Sequence, residues 1–241
     1  MNVEIWSDVV CPWCYIGKRR FEKALARFPH RDDVTVRFRS FELTPSAPDV
    51  YPGTLNEMLA AKMRVSSQQA ARMNDRVSAI AAEEGLEYRL DVARPGNTVK
   101  AHRLLHLALE KGVQERVKER LMQAYFSEGQ PIGDTETLVR LANDAGLDAD
   151  EARAALSGDA YIADVRADEE LAAELGITGV PFFVIDERYG VSGAQPTDAF
   201  LHALRTAWNA SHPLTVVGAD ADSDAEIDTE ASICEDDSSA I

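Results

Sequence analysis

Cysteine is scarce: there are three in 241 residues, Cys11, Cys14 and Cys234. So few thiols cannot form the bridge framework of a small secreted domain. A cysteine zinc site would need two more ligands at matched spacing, and Cys234 stands alone far from the pair. No window approaches 18 consecutive apolar residues, so no transmembrane helix is expected. The chain opens Met1-Asn2-Val3-Glu4-Ile5-Trp6, a strand pattern rather than a basic segment followed by an apolar one, so no secretory signal is expected and the cytoplasm is the expected compartment. Basic residues are also few, 25 Lys and Arg against 41 Asp and Glu, for a formal charge of −16. Nine of the acids fall in residues 219–241, which hold no Lys or Arg; removing them from −16 leaves −7 for the body. An acidic body excludes nucleic acid as a partner, because phosphate contacts need clustered cations. The short Lys18-Arg19-Arg20 run reads as a solvated helix face. No glycine-rich nucleotide-binding motif stands at a strand-helix junction, so no nucleotide cofactor is implied.

With 45% apolar residues and few Gly and Pro, the chain is globular with a sizeable core. Val3 and Ile5 alternate as a first strand, followed by a helix whose apolar face is Trp13, Ile16, Phe21, Ala24, Leu25 and Phe28. Val34, Val36 and Phe38 alternate as a second strand, which completes a βαβ unit. Thr54-Leu55-Asn56-Glu57 then reads as a capping box. From there to Leu175 the pattern predicts seven helices, at about 55–64, 67–84, 98–111, 114–128, 135–145, 149–157 and 159–175, with glycines as stops. A β-hairpin over Pro181–Ser192 and a last helix from about Thr197 to Asn209 follow. The fold class is α/β: residues 1–53 and 177–215 form a mixed sheet with flanking helices, 54–176 an all-helical insertion, and 216–241 an acidic tail, which from 219 reads as disordered. Cys234 in that tail reads as incidental.

Cys11-Pro12-Trp13-Cys14 lies where the first strand pattern gives way to the first helix. Residues three apart on a helix have Cβ atoms roughly 5–6 Å apart, and a disulfide needs about 3.5–4.5 Å. A small adjustment therefore opens or closes the ring. Cys11 falls at the N-cap and Pro12 at the first helical position, where its missing N–H does no harm. The free amides and dipole of the helix start favour a thiolate at Cys11. Cys14, one turn on, is placed to resolve a mixed disulfide. Trp13, between them, is expected to offer substrate an apolar patch and in part to anchor the helix in the core. His102 and His106 are four apart, but Arg103-Leu104-Leu105 between them lacks the Glu of the helical zinc motif, so they read as core histidines and no metal is expected.

The βαβ…ββα order, the CPWC junction and Gly179-Val180-Pro181 ahead of the third strand resemble the thioredoxin superfamily, in its DsbA-like branch with a helical insertion. Asp8-Val9-Val10-Cys11-Pro12-Trp13-Cys14-Tyr15-Ile16-Gly17, Phe41-Glu42-Leu43 and Asn97-Thr98 before Ala101-His102-Arg103-Leu104 are similar to FrnE-like disulfide oxidoreductases, some of them linked to polyketide biosynthesis. The likeness covers roughly residues 2–210. It implies a thioredoxin fold and a cis peptide at Pro181 beside the disulfide, with Val180 offering its backbone to an extended substrate. It also implies that Pro12, Trp13, Glu42, Asn97 and His102 line or border the substrate cleft. The superfamily keeps a buried acid six positions ahead of the first cysteine; Ile5 stands there, leaving Asp8, Glu42 or water as proton acceptors.

The expected function is thiol-disulfide oxidoreduction, Cys11 attacking and Cys14 resolving. No cofactor beyond glutathione as a co-substrate is expected. The partners expected are a thiol- or disulfide-containing protein or small molecule, with glutathione or a partner reductase supplying electrons. One alternative is a glutathione-dependent isomerase or transferase acting on an aromatic or polyketide-like small molecule. The 2-hydroxychromene-2-carboxylate isomerases and kappa-class glutathione transferases share the fold, but typically carry serine where Cys11 stands. A second alternative is a chaperone-like binding module with a regulatory disulfide.

Overall fold

The structure, a computed structural model, describes residues 1–213. The acidic tail with Cys234 lies outside the described residues. Four strands form one mixed sheet in the order β2-β1-β3-β4. β1 (Asn2–Ser7) runs parallel to β2 (Thr35–Ser40), Ile5 facing Phe38, and antiparallel to β3 (Phe182–Ile185), Ile5 facing Phe183. β4 (Tyr189–Ser192) pairs antiparallel with β3 at the edge. As a central strand β1 is covered on both faces. Val3 and Ile5 enter a core with Phe21, Phe183, Phe200 and Leu204, while Trp6 packs on the other face with Val184, Ala172 and Ile177.

Helices α1 (Pro12–Ala26) and α9 (Thr197–Ser211) cover the first of these faces. The other receives α8 (Ile162–Glu174), where the Trp6 indole N–H donates to the Asp168 carbonyl at 2.9 Å and the Asp168 carboxylate takes Arg39 and the Ser40 amide. Six further helices precede α8 between β2 and β3: α2 (Leu55–Met63), α3 (Ser67–Glu83), α4 (Val99–Glu110), α5 (Gln114–Phe126), α6 (Thr135–Asp144) and α7 (Ala149–Ser157). Their starts are chemically marked. Thr54 with Glu57 and Ser66 with Gln69 form reciprocal capping boxes, and Asp134 and Asp148 cap α6 and α7. α8 starts at Ile162, later than its pattern predicts, because the Arg103 guanidinium takes the carbonyls of Ala155, Gly158 and Ala160, and Tyr161 is left-handed at φ 63°. Among the described residues no helix is long and apolar enough to cross a membrane.

The insertion shares its core with α1. One continuous apolar cluster joins Val9, Cys11, Cys14 and Ile16 to Leu104, Leu121, Met122 and Phe126. α1 thus turns Phe21 and Ala24 to the sheet side and Cys14 and Ile16 to the insertion. Lys18-Arg19-Arg20 is accordingly not the solvated face its length suggests. Lys18 is buried and pairs with Glu22 and Glu119, Arg19 pairs with Glu119, and Arg20 binds Glu84 at 2.6 Å. Acids on and just after the insertion's helices meet the cations at this seam, and the local pattern of α1 carries no sign of them.

Candidate active site

Past Ser7 the chain turns over Asp8-Val9-Val10, and the Cys11 amide donates to the Asp8 carbonyl at 3.3 Å. Cys11 is the N-cap of α1, with extended φ −85° and ψ 115°, and Pro12 opens the helix. The Cys14 amide donates to the Cys11 carbonyl at 3.0 Å, which holds both cysteines in one turn. Both are free thiols, 4% and 2% exposed. The Cys11 sulfur accepts no first-turn amide. Its thiol instead donates to the Val180 carbonyl at 3.6 Å, since a protonated thiol is a donor and seeks an acceptor. Burial, and then contact with the Cys11 sulfur, push the Cys14 thiol well above its ordinary value.

The Val180–Pro181 peptide is cis. Pro181 lies against Gly17 so closely that a Cβ there would stand 3.0 Å from the proline Cγ. Glycine in mid-helix costs roughly 0.5–1 kcal/mol relative to alanine, and here it lets the proline loop approach the cysteine turn. Trp13 is 42% exposed, so it does not anchor the core; it stands at the surface beside the pair.

Near the cysteines lies a set of buried ionisable groups. Fully buried Asp8 takes the Leu43 amide at 2.8 Å on one oxygen, and its other oxygen lies 3.4 Å from His102 Nε2. Burial alone would raise the Asp8 carboxyl, but the His102 ring, the Leu43 amide and the charge of Lys118 hold it below the ordinary range. Lys118, from α5, is completely buried. Its ammonium donates to the Ser7 carbonyl at 3.3 Å and stands 5.6 Å from the centre of the Phe38 ring. Burial pushes Lys118 down to about 8, against the pull of Cys14, Asp8 and Cys11.

The other residues expected at the cleft divide. Glu42 is buried and binds Arg166 at 2.7 Å through one oxygen while the other has no partner; burial raises its carboxyl despite the arginine. Asn97 is spent on structure, its amide donating to the Pro45 carbonyl at 3.0 Å and its oxygen accepting the Val99 amide at the start of α4. His102 is wholly buried beside Asp8, whereas His106 turns to Ser40 and Asp168, so the two histidines serve different partners. Two hollows flank the turn. A cavity of about 360 Å³ is lined by Val10, Pro12, Leu43, Met58, Leu90 and Phe126, and an open groove of about 350 Å³ runs along Gly179–Phe182 and Ser192–Gly193.

Two residues of the site escaped the sequence reading. Tyr88 donates its hydroxyl to the Pro12 carbonyl at 2.7 Å, and no local pattern marks it. Lys118 did leave a signal. With Leu121, Met122 and Tyr125 it occupies i, i+3, i+4 and i+7, so a lysine stands in the apolar stripe of a helix.

Residues 2–205 match the family described as DSBA-like thioredoxin domain. The uncharacterized protein YwbO of Bacillus subtilis is 32% identical over 208 residues, 85% of this chain and 96% of that protein. A crystal structure of a probable DsbA oxidoreductase from Streptomyces coelicolor is 51% identical and superposes with a TM-score of 0.84, covering 91% of this chain and 94% of the other. The cytosolic disulfide reductase DsbM from Pseudomonas aeruginosa, solved with GSH, has the same fold at 19% identity and a TM-score of 0.61, covering 87% of this chain and 100% of that one. A CPWC turn at the start of α1, a cis-proline loop against it and a family match spanning nearly all the described residues make this chain a member of the DsbA-like thioredoxin-fold oxidoreductases.

Proposed function

We propose that this protein is a thiol-disulfide oxidoreductase in which Cys11 attacks and Cys14 resolves. The observation that carries it is the pair itself: two free thiols in one helical turn, the first against the Val180 carbonyl at the edge of an open groove. The Cys11 thiolate attacks a substrate disulfide, forms a mixed disulfide and expels one substrate thiolate. The Cys14 thiolate then attacks the Cys11 sulfur, closes the Cys11–Cys14 bond and expels the second. Two electrons pass to the substrate, and glutathione or a partner reductase returns them. Run backwards, the same steps oxidise a dithiol. The Val180–Pro181 loop supports binding of an extended thiol- or disulfide-bearing chain, with exposed Trp13 beside it. The cytoplasmic setting is part of this proposal.

The cavity beside Pro12, walled by Met58, Leu90 and Phe126, favours a second reading. It suits a small aromatic or polyketide-like molecule turned over with glutathione as co-substrate. Insulin reduction driven by dithiothreitol separates the readings. The expected result is activity abolished by Cys11→Ser. Activity unchanged by that substitution overturns the redox assignment and leaves the binding module, while glutathione-dependent turnover of a chromene-type substrate without insulin reduction selects the isomerase.

A further inference from the structure

The cavity beside Pro12 carries an acceptor that the protein leaves unused. Asp8 lines it and is fully buried, with Oδ2 taking the Leu43 amide at 2.8 Å. Oδ1 has no hydrogen-bond partner: His102 Nε2 approaches only to 3.4 Å, and neither nitrogen of that ring makes a hydrogen bond. Buried polar atoms are costly to leave unpaired. Glu42 Oε2 and Ser7 Oγ are unpaired as well, but neither residue lines this cavity. Tyr125 does line it; the side chain is 2% exposed and its hydroxyl makes no hydrogen bond among the described residues. Much of the remaining wall is apolar, from Val10, Leu55, Met58, Leu90 and Phe126. Leu43 and Met63 also line the cavity and are 38% and 47% exposed, so it reaches the surface.

We propose that this cavity binds a small uncharged aromatic or alicyclic molecule through one hydroxyl, which donates to Asp8 and accepts from Tyr125. The inference deepens the second reading above and takes from it only that a small molecule enters here. Asp8 is held below the ordinary carboxylate range, so at neutral pH it is an anion that accepts and cannot donate, and the occupant must bring the proton. An ammonium would donate to Asp8 but could not accept from Tyr125. A carboxylate would set a second anion beside the first. A hydroxyl serves both partners, and the apolar wall takes the rest of the molecule. The volume, about 360 Å³, is in the range of small-molecule sites. Because Val10 and Pro12 are part of the wall, the occupant lies against the turn that carries Cys11.

The test is a fluorescence titration of the full chain with 2-naphthol, 2-methoxynaphthalene and 2-naphthoate, which share a ring system and differ in the polar group. The expected result is that 2-naphthol binds at least about tenfold more tightly than either of the others. In Asp8→Asn the Leu43 amide holds the side-chain oxygen, which turns the new NH2 to the open position, and the preference for the hydroxyl is expected to vanish. Met58→Trp, which fills the cavity, should weaken all binding. No binding of 2-naphthol to the parent, equal affinity for its methyl ether, a preference that survives Asp8→Asn, or binding undiminished by Met58→Trp overturns the inference. Should Asp8→Asn fail to fold, Tyr125→Phe decides: a smaller preference supports the hydroxyl site, and an unchanged one overturns it. The probes carry no sulfur, so insulin reduction is scored separately. Selective 2-naphthol binding without glutathione-dependent turnover upholds the inference and fails the isomerase reading, whereas such turnover with no preference for the hydroxyl fails the inference alone.

Discussion

Lys118→Met should make this protein more stable at neutral pH, and the amount follows from the burial of the amine. The side chain is completely enclosed, and its proton affinity falls from the ordinary 10.5 to about 8. At about 1.4 kcal/mol for each tenfold, holding Lys118 charged in the folded state costs about 3 kcal/mol below pH 8. Methionine keeps an unbranched stem in the same space and carries no charge. Against that gain stands the lost hydrogen bond to the Ser7 carbonyl, long at 3.3 Å and worth about 1 kcal/mol. The net is about 2 kcal/mol in favour of the variant near pH 7. The sign depends on pH. Because the folded value lies below the unfolded one, the unfolded chain binds more protons between about 8 and 10.5, and the penalty on the parent fades across that window. Urea unfolding of both proteins at neutral pH and near pH 9.5 should show the gap shrinking toward zero. A variant weaker than the parent at neutral pH, or a gap that ignores pH, refutes the reasoning.

Gly17→Ala gains about 1 kcal/mol of helix propensity but sets a methyl 3.0 Å from Pro181 Cγ and 3.4 Å from Ala194, an overpacking cost of about 1–3 kcal/mol. A melting temperature lower by a few degrees is expected, and a rise would show that the proline loop yields freely. Iodoacetamide should label Cys11 at least about tenfold faster than Cys14, whose thiol burial holds protonated; peptide mapping with equal rates would contradict that order. Asp8, Glu84, Glu119 and Asp168 are raised by burial but lowered further by their partners, all ending below the ordinary carboxylate range. Their stabilisation is complete above about pH 4.5 and is lost as pH falls through the folded values, so urea midpoints should drop steeply from there to about pH 3. A flat profile would mean these ion pairs hold little.

Wherever local pattern decides the outcome, the fold could be read from the chain. The helix-start position of Cys11 follows from Pro12, the β-hairpin from Phe182–Ser192, and the starts of α2 and α3 from capping chemistry at Thr54 and Ser66. Long-range partners account for what was misread. Lys18-Arg19-Arg20 is an ordinary basic run until Glu84 and Glu119 arrive from more than 60 residues away, and the start of α8 moves because Arg103 claims three carbonyls ahead of it. Asn97 carried a family likeness but no pattern to separate cleft lining from capping, and the structure gives it to the backbone. The Cys11 thiol turns to Val180 for a related reason, since the acceptor lies 169 residues away.

The division of labour around the cysteines explains why the helices are inserted where they are. The sheet and α1 supply the two sulfurs and the proline loop. The buried polar groups near them come from elsewhere: Lys118 from α5, His102 from α4, and from the segment after α3 the Tyr88 hydroxyl that holds the Pro12 carbonyl. A buried amine beside a buried carboxylate persists only where the packing around both is closed, because an open chamber would hydrate them and erase the shift in proton affinity. The continuous cluster from Cys14 to Leu121 and Phe126 provides that closure. Loosening the insertion should therefore change the reactivity of Cys14 before it changes the sheet. In this chain the insertion encloses Cys14 as well as walling the cavity beside Pro12.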